Sequence, residues 1–292
     1  MNVPTGAPAA VRGDGPASDT VAISVVIPTH DRRPLLERKL RALEAEQIDF
    51  EVIVVADACR DDTEAFLDGY RPPYPLRWTT TPGTHAATAR NRGASIARGR
   101  VLLFSDDDVV SLPGWLAGNL AAHETARVVG LSRQVLPAHL TGGGELRGPV
   151  WWWNVNGRST SLTADLFHEV GGYDPSFTTY GGEDPDLGYR LLRAGASFLF
   201  LPHATAEHWD EAFAGEYEAK ARSAGRAHVR VWRKHGDARI AWALGIHPAL
   251  MAVKRLVLNR AVGALVRHPT FRYERAYLEG ALEARRRGEG AT

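Results

Sequence analysis

Three adjacent carboxylates, Asp106, Asp107 and Asp108, stand directly after the apolar run VLLF at 101–104. Side by side they repel, and burying them unpaired is costly. A divalent cation resolves the conflict, because Mg2+ or Mn2+ takes one or two carboxylates together with phosphate oxygens; a solvated acidic turn is the plainer alternative. Asp57 follows another apolar run in VVADACRDDT. A carboxylate there either closes a turn, as Asp61 and Asp62 are placed to do, or accepts hydrogen bonds from the base or ribose of a nucleotide. Glu183 and Asp184 lie in GGEDPDLGYR. The two glycines let a ligand approach the backbone, Pro185 suits a first helical turn, and a carboxylate with a raised pKa is a general base. Glu183, Asp184 and Asp186 also read as an acidic helix start favoured by the macrodipole. His208, in LPHATAEHW, competes with His203 for a ligand role. The run Trp151-Trp152-Trp153 is either core or a platform on which a sugar stacks, and Cys59 reads as inert.

These groups need elements to hold them. Residues 21–28 (VAISVVIP), 50–56 (FEVIVVA), 76–80 and 101–104 read as strands. Between them, 34–46 with Leu35, Leu36, Leu40 and Leu43 at helical spacing, 61–67, and the Ala-rich stretch 85–97 stopped by Gly99 read as helices. The alternation predicts an α/β fold with a mostly parallel, Rossmann-like sheet flanked by helices, whose ligands bind beyond the carboxyl ends of the strands. After about residue 113 the pattern loosens. The Gly-rich stretch 141–148 predicts a mobile loop, 181–195 a loop that becomes a helix at Pro185, and 196–201 a strand followed by a short connection to His208. From residue 217 the chain reads as mostly helical.

Composition excludes several classes. The 292 residues carry 35 Lys+Arg against 34 Asp+Glu, which leaves no basic surplus for a nucleic-acid binder. A single cysteine excludes a disulfide framework or a zinc site of paired cysteines, and a cytoplasmic setting is expected. Residues 1–20 have no apolar core and predict a disordered leader rather than a targeting signal. No stretch reaches the roughly 18 charge-free apolar residues of a spanning helix. The nearest, 240–253, contains His247 and Pro248, runs into Lys254 and Arg255, and reads as a core or interfacial helix.

In this order the clusters resemble the large family-2 glycosyltransferases of the GT-A fold. The resemblance rests on SVVIPT at 24–29, Asp57 with Asp61-Asp62-Thr63, Ala89-Arg90-Asn91-Arg92-Gly93, Asp106-Asp107-Asp108, and Pro113-Gly114-Trp115-Leu116. The stretch 170–195 is similar to the acceptor-side motif of this family and of galactosyltransferase-like relatives. Ala56, Ala58 and Cys59 stand where the pattern has an acid, Gly and Ser, and Arg60 adds a charge, so the base is left open.

The resemblance implies an inverting, hexosyltransferase-type reaction that passes a sugar from a nucleotide-diphosphate sugar to an acceptor hydroxyl, on a small molecule, a glycan or a lipid-linked acceptor. Pro28, Thr29, Asp31, Asp57, Arg90, Asp106 and Asp107 would bind the nucleotide sugar. Asp106, Asp108 and His208 would hold Mn2+ or Mg2+. Trp153, Tyr180, Gly181, Gly182 and Glu183 would meet the acceptor, with Asp184 as base and Glu183 beside it. The implied division is a catalytic domain at 21–212, made of a nucleotide-binding half (21–112) and an acceptor-side half (113–212), then a helical extension at 213–292. Two alternatives stand beside it. A sugar nucleotidyltransferase would carry a Gly-rich basic loop after the first strand, where this chain has Thr29-His30-Asp31-Arg32. A non-catalytic nucleotide-sugar-binding module would have no use for the Glu183-Asp184 pair. The apolar and basic stretch 249–267 suits either packing on the catalytic domain or peripheral contact with an anionic membrane at its inner face.

Overall fold

A computed structural model describes residues 9–13, 21–83, 85–124, 127–137, 148–209, 213–259, 262, 266 and 268–287. The β-branched runs form the middle of one sheet. Its strands β2 (Val21–Thr29), β3 (Phe50–Asp57) and β5 (Gly99–Phe104) are buried almost throughout, as strands covered on both faces must be. With β4 (Leu76–Thr81) they pair in parallel in the order β4-β3-β2-β5. Beyond β5 the sheet is mixed. There β8 (Thr160–Thr163) runs antiparallel to β5 and β7 (Val128–Val135) antiparallel to β8, while β9 (Ser197–His208) runs parallel to β7 and β6 (Val109–Ser111) antiparallel to β9. The expected parallel arrangement therefore holds for β4-β3-β2-β5, and beyond them only β7 and β9 pair in parallel. Strands of three or four residues, or ones carrying Ser132, Arg133 and Gln134, lack the apolar run that marks the others.

Alternate strand residues point to opposite faces. On one face Leu36, Leu40 and Leu43 of α1 (Arg33–Leu43) and Trp115 and Leu116 of α4 (Trp115–Ala121) meet Ile23, Val25 and Val52, with Leu67 of α2 (Thr63–Gly69) beside them. On the other, α3 (His85–Ile96), α5 (Ala164–Glu169) and α6 (Glu183–Arg193) pack Ala94, Phe167, Leu187 and Leu191 around Val26 and Phe104.

Four boundaries differ from the sequence reading. Gly99 does not stop α3; it opens β5, where a Cβ would lie 2.4 Å from the backbone nitrogen of Ser24. Helix α6 begins at Glu183 rather than Pro185, capped by Gly182 at φ 98°, so both acids sit in its first turn. Strand β9 continues through His208 instead of ending near 201. Within the expected leader, β1 (Arg12–Gly13) pairs antiparallel with β4, and the Ala9 carbonyl accepts from Arg92 and Thr79. Residues 1–8 and 14–20 of that leader and residues 141–147 of the expected loop lie outside the described residues.

The chain closes with α7 (Phe213–His235), α8 (Ala238–Ala243), α9 (Pro248–Val257) and α10 (Pro269–Arg287). Ala221, Ala224 and Val229 pack on Ala276, Tyr277 and Ala281 in a core of their own. A second cluster joins Val231 and Ile240 to Trp152, Phe177 and Tyr189, fastening these helices to the acceptor-side half. The stretch expected as one helix over 240–253 is two, broken at Gly245 (φ 69°) and Pro248.

Candidate active site

The acidic triplet occupies the turn between β5 and β6, and its three side chains diverge. Asp107 faces inward, accepting from Thr29 Oγ1 at 2.8 Å and lying 3.1 Å from Arg32. Burial pushes its carboxyl up to about 7, Arg32 pulling it down and Asp108 pushing it further up. Asp108 accepts from Arg32 at 2.7 Å. The register that sets Val109 opposite His208 brings His208 Nε2 to 3.6 Å from Asp108 Oδ1. Asp106 is the open member, its side chain 28% exposed, and accepts from Arg90 at 2.7 Å. Burial raises its carboxyl, but Arg90 outweighs that and holds it below the ordinary range.

Arg90 is the hub. Its motif neighbours explain how it is held: Asn91 donates to the Tyr173 carbonyl and accepts from the Tyr173 amide, and Gly93 lets α3 settle on Val26. The guanidinium lies over the Tyr173 ring and against Gly157, where a Cβ would fall 2.0 Å from Cζ. Its Nη1 is 4.0 Å from Glu183, and its Nε and Nη1 are buried with no hydrogen-bond partner among the described residues. Burial works against its charge, but Asp106, Tyr173, Asp184 and Glu183 outweigh that and keep it firmly protonated.

Glu183 and Asp184 close the far side. Glu183 Oε2 and Asp184 Oδ1 are buried without a hydrogen-bond partner among the described residues. Burial, reinforced by Asp184, pushes Glu183 up to about 7, with Arg90 opposing. Asp184 is also raised, by burial first, against the pull of Arg90. Asp186, the next acid along, belongs elsewhere: it is fully buried against α7, 2.8 Å from His235 and 2.6 Å from Lys234, and accepts from Arg190. The sequence grouped it with the other two acids. Two helical positions beyond Asp184, it is turned away.

At the carboxyl ends of the parallel strands, Pro28 and Thr29 end β2 and Asp57 ends β3. Asp57 Oδ1 accepts from Thr81 and from the Gly83 amide. Ala58 holds the left-handed backbone (φ 51°) that a glycine would adopt freely. Asp31, also at φ 51°, accepts from the Arg60 and Asp61 amides. Asp31, Cys59 and Asp61 bring their potential ligand atoms within 4.8 Å of one another, alone among the described residues. Asp106, Asp108 and His208 are not gathered so closely, because Arg90 draws one carboxylate aside and Arg32 the other. The first group is largely exposed, and its two acids already close turns. In the second, Asp108 Oδ1 is buried with no hydrogen-bond partner among the described residues and lies 3.6 Å from the His208 imidazole. His203, the competing histidine, is exposed.

The three tryptophans divide. Trp152 is core at 5% exposure, while Trp151 and Trp153 are 56% and 38% exposed and stacked 5.9 Å apart. Tyr180 is exposed, and Gly181 and Gly182 follow it at φ 88° and 98° against Ala224 and Ala227 of α7.

Sequence reasoning missed Arg32, Gly157, Tyr173 and Lys39. Arg32 had a signal, being the first basic residue after β2. Lys39 had none, because it sits within the Leu36-Leu40-Leu43 stripe. It is fully buried behind the triplet and donates to Ser105 Oγ and the Val109 carbonyl, both at 2.7 Å. Burial pushes its ammonium down to about 7, with the three aspartates pulling it back up.

The chain is similar to known proteins. Residues 24–178 match the model described as glycosyl transferase family 2. Validoxylamine A glucosyltransferase of Streptomyces hygroscopicus subsp. jinggangensis is 31% identical over 240 residues, covering 62% of this chain and 54% of that protein. Pre-mycofactocin glycosyltransferase of Mycobacterium tuberculosis is 28% identical over 206 residues, covering 64% of this chain and 42% of that protein. The chain spans about half the length of the curated relatives it matches. Among solved structures, mannosyltransferase PcManGT from Pyrobaculum calidifontis, in complex with GDP-Man and Mn2+, superposes with a TM-score of 0.62 at 17% identity, over 97% of this chain and 91% of that one. S. aureus TarS 1-349 in complex with UDP-GlcNAc does so with a TM-score of 0.54 at 16% identity, over 91% and 92%.

Proposed function

The chain belongs to glycosyl transferase family 2 and has the GT-A fold, and from that premise we propose that it transfers a sugar from a nucleotide-diphosphate sugar to an acceptor hydroxyl, with inversion. The observation that carries the reading is the placement of Glu183 and Asp184. Two carboxyls with raised pKa stand beside the Arg90–Asp106 ion pair, Glu183 lying 4.0 Å from Arg90, so that a base and a charged donor site would be neighbours.

Asp184 takes the proton of the acceptor hydroxyl as its oxygen attacks the anomeric carbon. The carbon–oxygen bond to the diphosphate breaks on the opposite face, and the nucleoside diphosphate leaves with that electron pair. Glu183 orients the acceptor, and the exposed pair Trp151 and Trp153 offers its rings to the sugar or acceptor face. Thr29 and Asp57 border the nucleoside, Arg90 the diphosphate, and Asp107 fixes Thr29 and Arg32. Asp106, Asp108 and His208 would hold Mn2+ or Mg2+, which when bound supplies positive charge to the departing diphosphate. Support comes from the solved relatives crystallised with GDP-Man and Mn2+ and with UDP-GlcNAc. Residues 21–212 form the catalytic domain on this reading, and 213–292 a helical extension that walls its acceptor side.

A screen of nucleoside diphosphates and their sugars by thermal shift with Mn2+ identifies the donor. Product stereochemistry by NMR then tests inversion; retention at the anomeric carbon overturns the single displacement. EDTA should abolish transfer and Mn2+ or Mg2+ restore it, and His208→Ala should reduce activity more than His203→Ala. Full activity in EDTA removes the metal from the reading.

The raised acids also set a pH dependence. A general base works deprotonated, so with Asp184 raised by burial, kcat/KM should fall on acidification at a higher pH than an ordinary carboxylate would give. A profile flat to pH 5, as an ordinary carboxylate would give, places the base elsewhere.

A further inference from the structure

The helix α9 is built inside out. Of its ten residues only Met251 is buried, while Val253, Leu256 and Val257 are 60%, 77% and 55% exposed, and Ala249 and Ala252 are exposed with them. The positions 249, 252, 253, 256 and 257 form one apolar stripe at helical spacing. A surface helix of a soluble protein turns such a stripe toward the core, and here it faces out. Just before it, Trp242 is 51% exposed and stacked on His247 at 4.1 Å.

Beside the stripe lies a cavity of about 330 Å³ between α9 and the end of α10. Met251, Ala252 and Leu282 make its apolar floor, and Arg255, Arg285 and Arg286 its rim. None of its lining residues is acidic. The nearby glutamates are tied up, Glu274 by Lys254 and Glu283 by Arg222 and Arg226.

We propose that α9 lies in the plane of an anionic membrane surface, its apolar stripe at the acyl boundary and a lipid headgroup phosphate among Arg255, Arg285 and Arg286. The pairing of an apolar face with adjacent cations is what an interfacial helix requires, and an exposed tryptophan suits the headgroup level. Spanning is excluded by geometry. By length and composition Ala238–Val257 would cross a bilayer, but the break at Gly245 and Pro248 leaves a ten-residue helix about 15 Å long, half the roughly 30 Å of hydrocarbon. A second copy of the chain is the poorer occupant, since a twofold contact through this face would bring two sets of three arginines into one interface with no acidic residue lining the cavity. The surface stands apart from the reaction, so it holds whatever sugar is transferred.

Co-sedimentation of the full chain with vesicles tests this. With phosphatidylcholine plus phosphatidylglycerol at low salt the protein should pellet. With phosphatidylcholine alone, or at high salt, it should stay largely in the supernatant. Val253→Asp with Leu256→Asp, and separately Arg255→Glu with Arg286→Glu, should each lower the partition coefficient about tenfold or more. All four residues are exposed, so melting temperature should be unchanged. Protein that stays in the supernatant with anionic vesicles overturns the proposal, as does pelleting that neither double variant weakens. A dimer in solution that Val253→Asp with Leu256→Asp dissolves, together with no vesicle binding, assigns the face to a second copy instead.

Discussion

Asp184→Asn should cut turnover by about a hundredfold or more, the scale of general-base catalysis, while donor affinity stays near that of the unaltered protein. The substitution is nearly isosteric, and Asp184 Oδ1 has no hydrogen-bond partner among the described residues whose loss would disturb the fold. Asparagine takes no proton, so the effect falls on kcat. The control is Asp186→Asn, two positions on. Asp186 is held below the ordinary carboxylate range because His235, Arg190 and Lys234 outweigh its burial. Its loss should lower melting temperature, since it breaks a buried ionic cluster, and leave the pH profile of transfer in place. Steady-state kinetics on both variants, with melting curves, separate the two roles. An Asp184→Asn enzyme that turns over at the unaltered rate moves the base to Glu183.

Arg90→Met should be the most damaging single change to stability, costing about 3–5 kcal/mol, as removal of one partner from a buried ion pair does. Asp106, Glu183 and Asp184 all draw on this guanidinium. Without it Asp106 loses the cation that keeps it ionised, and the other two carboxyls rise further. The surviving activity should therefore need higher pH as well as falling in magnitude. Gly157→Ala provides an independent route to the same defect, because its Cβ would claim the space of Arg90 Cζ. Chemical denaturation of both variants checks the result. Stability within about 0.5 kcal/mol of the parent, the range of ordinary surface changes, would show that Arg90 is not the electrostatic centre.

The sequence by itself determined the central strands and the helices between them, and it singled out the acids of the proposed site. These are local signals. A β-branched run such as VAISVVIP is a strand wherever it is buried, and an acid at its carboxyl end projects from the sheet edge whichever neighbours it has. The motif order was enough to point to the family. What only the tertiary structure decided are the pairings across long separations. His208 reaches Asp108 because β9 runs past its expected end and pairs with β6 in one register, which no periodicity in either strand announces. Arg32 and Arg90 take opposite ends of the triplet, from the position just before α1 and from α3, and Lys39 backs it from within a leucine stripe. Asp184 and Asp186 are alike in type and two residues apart, yet the helical rotation between them sends one toward Arg90 and the other into α7. A buried charge needs a partner, and that partner comes from another element of the fold. Local pattern can therefore name the acids of this site, but only the packing of the helices on the sheet determines which of them can act as a base.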